Sequence, residues 1–161
     1  MSFTTFCSNN PTTVVISMSA FIAWRGLIQA RKLSIQKNTL DFDNVHGENK
    51  DLLAAYVSLG STYRETLSSE LDSRLRSYAT DMRSSEQAAQ IRLILNTWER
   101  VGRGIQYGVY DKDMLYRAFS SHVLNIYSIT RAYRLEVQKD SPSFYECFEK
   151  MGHDWYMKKH S

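Results

Sequence analysis

The chain has 161 residues, 43% of them hydrophobic, with 20 basic and 17 acidic side chains and a net charge of +3. That length suits one domain with one core. Of the basic residues, four (Arg25, Arg31, Lys32 and Lys37) precede Asp41 and no acidic one does, so the remaining 16 meet all 17 acids and no long basic tract exists. The composition therefore argues against a double-stranded nucleic-acid partner despite a pI near 8.8.

The first element is the uncharged stretch from Met1 to Trp24. Followed by a purely basic flank, it reads as a membrane anchor over residues 1–28, with Pro11 suited to a first helical turn. The alternatives are a buried helix and a helix lying on the membrane surface; the last fits poorly because Ser17 and Ser19 lie about 200° apart. The positive-inside rule places the N-terminus outside and the rest in the cytoplasm. The partner implied is the lipid bilayer, and the weak, hydroxyl-rich anchor favours a homo-oligomer. Cys7 and Cys147 then fall on opposite sides of the membrane, so no disulfide is expected.

A basic juxtamembrane helix and linker over residues 29–48 should stop near Val45-His46-Gly47. Residues 49–161 form the expected cytoplasmic helical domain. A helix over Lys50 to Glu65 presents Leu52, Leu53, Tyr56, Val57 and Leu59, and a polar helical stretch follows from about Ser69 to Tyr78. Ser84-Ser85-Glu86-Gln87 reads as a capping-box start. Ile91, Ile94, Leu95, Trp98, Val101 and Ile105 then keep helical spacing over four turns. Asp111 opens the next helix, whose core positions run from Leu115 to Val137. Asp140-Ser141-Pro142 reads as stop, cap and first helical residue, with Phe144, Phe148, Met151 and Trp155 following. No segment alternates with period two. The expected fold is all-α: one N-terminal membrane helix followed by a cytoplasmic bundle of four to five helices.

Several of these residues together resemble a family. Lys37-Asn38-Thr39-Leu40-Asp41-Phe42 is followed by Gln90-Ile91-Arg92, Leu95-Asn96, Trp98-Glu99, Arg103-Gly104-Ile105, Gly108-Val109-Tyr110-Asp111 and Phe148-Glu149. Their order resembles an uncharacterised family of small bacterial membrane-anchored proteins with a helical cytoplasmic domain. The resemblance implies fold and an inner-membrane location, and no activity.

Catalytic constellations are sparse. His46, His122, His153 and His160 lack zinc-ligand spacing, and no cofactor is implied. Gly102 to Gly108 superficially suggests a phosphate loop, but it follows a helix rather than a strand. Glu99 and Glu149 read as ion-pair partners of Arg92, Arg103 or Lys150. No enzyme is expected.

One surface is less ordinary. On a helix running from Asp113 to Gln138, Arg117, Ser121, Asn125, Ser128 and Arg131 fall within about 120° of one another, opposite the core and without an acid. The face reads as a solvated surface, an oligomer contact or an anionic ligand site, and Arg103 adds a cation on the preceding helix. The function this suggests is a membrane-tethered sensor or effector that oligomerises and binds an anionic signal, such as a cyclic nucleotide in antiviral defence. The alternative is a non-enzymatic membrane scaffold or adaptor that binds a protein.

Overall fold

A computed structural model describes residues 11–66 and 68–161, with side chains placed for 15–66 and 70–161. Among the described residues there are seven helices: α1 (Pro11–Glu48), α2 (Lys50–Glu65), α3 (Ser68–Ala79), α4 (Glu86–Gln106), α5 (Lys112–Ile129), α6 (Arg131–Asp140) and α7 (Glu146–His160). α4 packs between α2 and α7, α3 lies on α6, and α5 lies on α7.

The fold is all-α, but the expected anchor is overturned. Among the described residues no helix is long and apolar enough to cross a membrane. The strongly apolar run from Val14 to Trp24 rises only about 16 Å, against roughly 30 Å of hydrocarbon, and Arg25 interrupts its continuation. The rest of the expected anchor, residues 1–10, lies outside the described residues, as does Cys7. The basic segment after it is no separate unit: anchor and flank residues from Pro11 to Glu48 form one helix.

The count of four to five body helices is also too low, chiefly because the helix expected from Asp113 to Gln138 is two. It breaks at Thr130. The Thr130 hydroxyl donates back to the Ile126 carbonyl at 2.7 Å, and Arg134 Nη1 takes both the Tyr127 carbonyl at 2.7 Å and Thr130 Oγ1 at 2.6 Å. A threonine bonded to the carbonyl four residues back bends a helix, and the diverted Tyr127 carbonyl is lost to the regular ladder. Arg134 is only 1% exposed. Its Nε meets Glu149 Oε1 at 2.6 Å, and its guanidinium lies 4.4 Å from the Tyr127 ring centroid. Glu149 thus pairs with Arg134 rather than with the cations expected, whereas Glu99 does meet Arg103, at 3.4 Å.

The caps follow simple chemistry. Asn49 accepts the Leu52 amide, Ser85 the Ala88 amide, and Asp111 Oδ1 the amides of Asp113 and Met114. The position three after Ser85 is Ala88, so only half of the expected capping box exists. α7 begins later than expected: Pro142 sits in a turn, and Tyr145 precedes the helix at φ 61° with no side-chain cap. Glu99 reaches across from α4 instead, and its Oε2 accepts the Phe148 amide at 2.9 Å.

Trp98, Phe148 and Trp155 are fully buried, and Phe119 packs half-buried against them. α4 and α7 approach so closely that a Cβ on Gly102 would lie 2.6 Å from the Cys147 carbonyl oxygen. Backbone on both sides would have to give. Gly102→Ala should therefore lower stability by about 1–3 kcal/mol, measured by urea unfolding.

Candidate functional site at the root of the long helix

α1 changes character along its length. Residues 15–34 are exposed on every side, including Ile16, Phe21, Ile22, Trp24, Leu27 and Leu33. The Arg31 guanidinium already reaches toward Gly108, and from Ile35 onward the helix itself is partly covered by the body. Thr39, 3% exposed, donates to the Ile35 carbonyl and accepts the Asp111 amide, both at 2.8 Å. Asn38 Nδ2 donates to the Val109 carbonyl at 3.3 Å. One turn on, Phe42 enters a ring cluster with Tyr110, Trp98 and Phe119 at centroid distances of 5.6, 6.1 and 5.9 Å.

The segment after α4 is shaped for this contact. Its amides turn back on the helix end, with Val109 N–H donating to the Gly104 carbonyl at 2.8 Å. Tyr110 lies so close over Gly104 that a Cβ there would come within 2.4 Å of its ring. This stretch therefore ends a helix and seats a ring. Two runs of sequence some seventy residues apart, Asn38-Thr39-Leu40-Asp41-Phe42 and Gly108-Val109-Tyr110-Asp111, are the two halves of one joint.

His46 is the polar member of the cluster. It is 8% exposed and lies 5.2 Å from the rings of Phe42, Trp98 and Phe119. Trp98 Nε1–H donates to the Tyr56 oxygen at 2.9 Å, and His46 Nε2, at 3.3 Å, is the partner left for the Tyr56 hydroxyl among the described residues. Assigning the Tyr56 proton to that contact makes His46 Nε2 the acceptor and puts the ring proton on Nδ1. Burial, and secondarily His122, holds the His46 imidazole below its usual range, against a smaller opposing pull from Asp43. Burial likewise pushes the Tyr56 hydroxyl up.

Stability then depends on pH with a definite sign. The unfolded imidazole takes up a proton near 6.5, and the folded one resists it. The contribution of His46 is therefore complete above about pH 6.5 and is lost as pH falls below it. Tyr56, Asp43 and His122 are the titratable groups around the ring, and burial lowers His122 in the same direction. The urea midpoint should fall between pH 7.5 and 5.5, and His46→Gln should shrink the fall without abolishing it.

The structure divides the residues singled out from sequence. Arg117, Ser121, Asn125 and Ser128 form an exposed stripe on α5. Arg131 is exposed too, but it opens α6 beyond the Thr130 break. Arg103 is not part of that stripe: it lines a separate depression with Glu99, Ser143, Glu146, Cys147 and Lys150. Burial, followed by the nearby Glu99 carboxylate, pushes the Cys147 thiol up, which disfavours the nucleophilic thiolate. Among the described residues no group of three or more His, Cys, Asp or Glu is placed to hold a metal ion. Thr39, Phe42, His46, Tyr56 and Tyr110 were not foreseen as one site. The available signal was the pairing of the Asn38–Phe42 and Gly108–Asp111 runs.

The fold and joint define a small all-helical domain that carries a long N-terminal helix. The chain matches the family described as Domain of unknown function (DUF4760) over residues 13–155, and it belongs to that family. No curated protein and no solved structure matches it. The family assignment replaces the expected membrane-anchored family. With no helix able to cross a membrane among the described residues, the bilayer partner, the single-pass inner-membrane location, the tethered sensor or effector and the tethered scaffold are all overturned. Of the residues expected to hold an anionic signal, Arg117, Ser121, Asn125 and Ser128 share α5, Arg131 opens α6, and Arg103 lines another depression.

Proposed function

We propose that this chain is a non-enzymatic helical module that carries α1 as a fixed arm and offers its exposed part to a helix of a partner protein. The carrying observation is the contrast along one continuous helix. Its root is fastened by Thr39 and by the rings around Phe42, while residues 15–34 expose large apolar side chains. An apolar surface of that extent marks an interaction site. The arm also fixes the partner's chemistry. Arg25, Arg31, Lys32 and Lys37 meet no acid before Asp41. A second copy would set cations against cations, whereas an apolar helix bordered by Asp or Glu complements them.

The experiment places a photoreactive residue at Leu27 in the full chain, in the cells that make it, and sequences the crosslinked peptide. The expected adduct is one protein, joined through an apolar helix bordered by acids. Its yield should fall when Arg31→Glu and Lys32→Glu are combined. Adducts only to a second copy or to lipid, or no yield above a body control at Leu135, would overturn the reading.

A further inference from the structure

α1 is fastened to the body without building its apolar core. Among the described residues, every buried apolar side chain lies at Leu52 or beyond. α1 buries only Thr39 and His46 there, and Phe42 packs half-buried against the cluster. The joint can therefore open while the core from α2 to α7 stays closed.

His46 is the buried titratable group that α1 brings to this contact, where it meets Tyr56 of α2, Trp98 of α4 and Phe119 of α5. Its Nδ1 is buried and has no hydrogen-bond partner among the described residues. An imidazolium carries N–H on both nitrogens, whichever of them held the first proton. Its Nδ1–H would find no acceptor, and its Nε2–H would meet a Tyr56 oxygen that already accepts from Trp98. The added charge is poorly offset. His122 of α5 opposes it, Asp43 of α1 favours it less than burial disfavours it, and burial keeps the Tyr56 hydroxyl protonated. The neighbouring cavity is lined by Arg100 of α4 and by Tyr110, and its lining includes no acid. With the joint open, the imidazole takes up its proton near pH 6.5; docked, it resists, first through burial and then through His122. The contribution of His46 to docking is therefore complete above about pH 6.5 and is lost as pH falls below it.

We propose that His46 is an acid-sensitive latch: a proton on its ring releases α1 from the body while the body stays folded. The inference concerns the joint alone and stands whether or not a partner protein meets the arm.

Hydrogen exchange of the ¹⁵N-labelled full chain, corrected for intrinsic rates, reads the opening. The Asp111 amide, bonded to Thr39 Oγ1, reports the joint, and the Ile94 amide, inside α4, reports the body. Asp111 should be at least about tenfold less protected than Ile94 at each pH, because the joint opens first. Between pH 7.5 and 5.5 its protection should fall about three- to tenfold, the upper figure being the limit for one proton taken up near pH 6.5. His46→Gln, which holds no such proton, should flatten the fall, and His122→Gln should keep most of it. If His46→Gln fails to fold, the wild type and His122→Gln decide. Equal protection of the two amides, a smaller fall at Asp111, or a fall that survives His46→Gln or vanishes in His122→Gln would overturn the proposal.

Discussion

Trp98→Ala should cost about 3–5 kcal/mol of unfolding free energy, the range for truncating a large buried aromatic side chain. Trp98 is 0% exposed and stands at the centre of the joint. Its ring meets Phe42, His46 and Phe119 at 6.1, 5.2 and 5.5 Å, and its Nε1–H begins the chain that passes through Tyr56 to His46. Truncation opens a cavity and breaks that polar chain together. Trp98→Phe separates the two losses, since it keeps a ring and removes only the donor; it should cost about 1 kcal/mol from the hydrogen bond plus a smaller packing loss. Trp155 supplies the contrast. It is equally buried, but its Nε1 has no partner, so Trp155→Phe forfeits no hydrogen bond. Urea unfolding of the three variants should rank Trp98→Ala well below the two phenylalanine variants. A cost under about 1 kcal/mol for Trp98→Ala would place that ring outside the core.

Arg134→Met should be nearly as damaging, at about 3–5 kcal/mol, although it replaces a charge with an apolar chain of similar length. The guanidinium is 99% buried and serves the Tyr127 carbonyl, Thr130 Oγ1 and Glu149 together. Removing one partner of a buried charged network leaves the others desolvated and unpaired. The Glu149 side chain keeps 30% exposure and recovers some hydration, which holds the cost toward the lower part of that range. The Tyr127 carbonyl and the buried Thr130 Oγ1 lose their guanidinium donor at the same time. Arg134→Lys should recover little, since an ammonium cannot span all three acceptors in the plane that the guanidinium fork supplies. Unfolding midpoints near wild type for Arg134→Met would show that the clasp contributes nothing.

The helical parts were legible wherever periodicity and caps agreed. The Ile91–Ile105 spacing, the Ser85 and Asp111 caps and the burial of Trp98 and Phe148 follow from local sequence. Several of the failures rest on side-chain contacts that periodicity and cap patterns do not show. Thr130 reads as an ordinary helix residue until Arg134 pulls on the turn before it. Pro142 reads as a helix start until Glu99, far back in the chain, caps α7 at Phe148. The uncharged start gave a strong membrane signal because charge is easily counted, while the shortness of its truly apolar run counted for less than it should have. The joint was visible only as two quoted runs. That a buried Thr39 hydroxyl would receive the Asp111 amide could not be read from either one. The α5 stripe was readable as a polar face, but its continuation into Arg131 assumed a helix that stops first.

The central claim is that the body holds α1 as a rigid arm, and a distance distribution tests it most directly. Spin labels at Ile22 and Lys139, with Cys7 and Cys147 replaced by serine, report the arm against the body by pulsed dipolar spectroscopy. Both label sites are exposed or lie outside the buried core. The account predicts a single narrow distance peak in the full chain, which broadens when Thr39→Val and Phe42→Ala are combined. A broad distribution in the otherwise unaltered chain, or one that the joint substitutions leave unchanged, would contradict it.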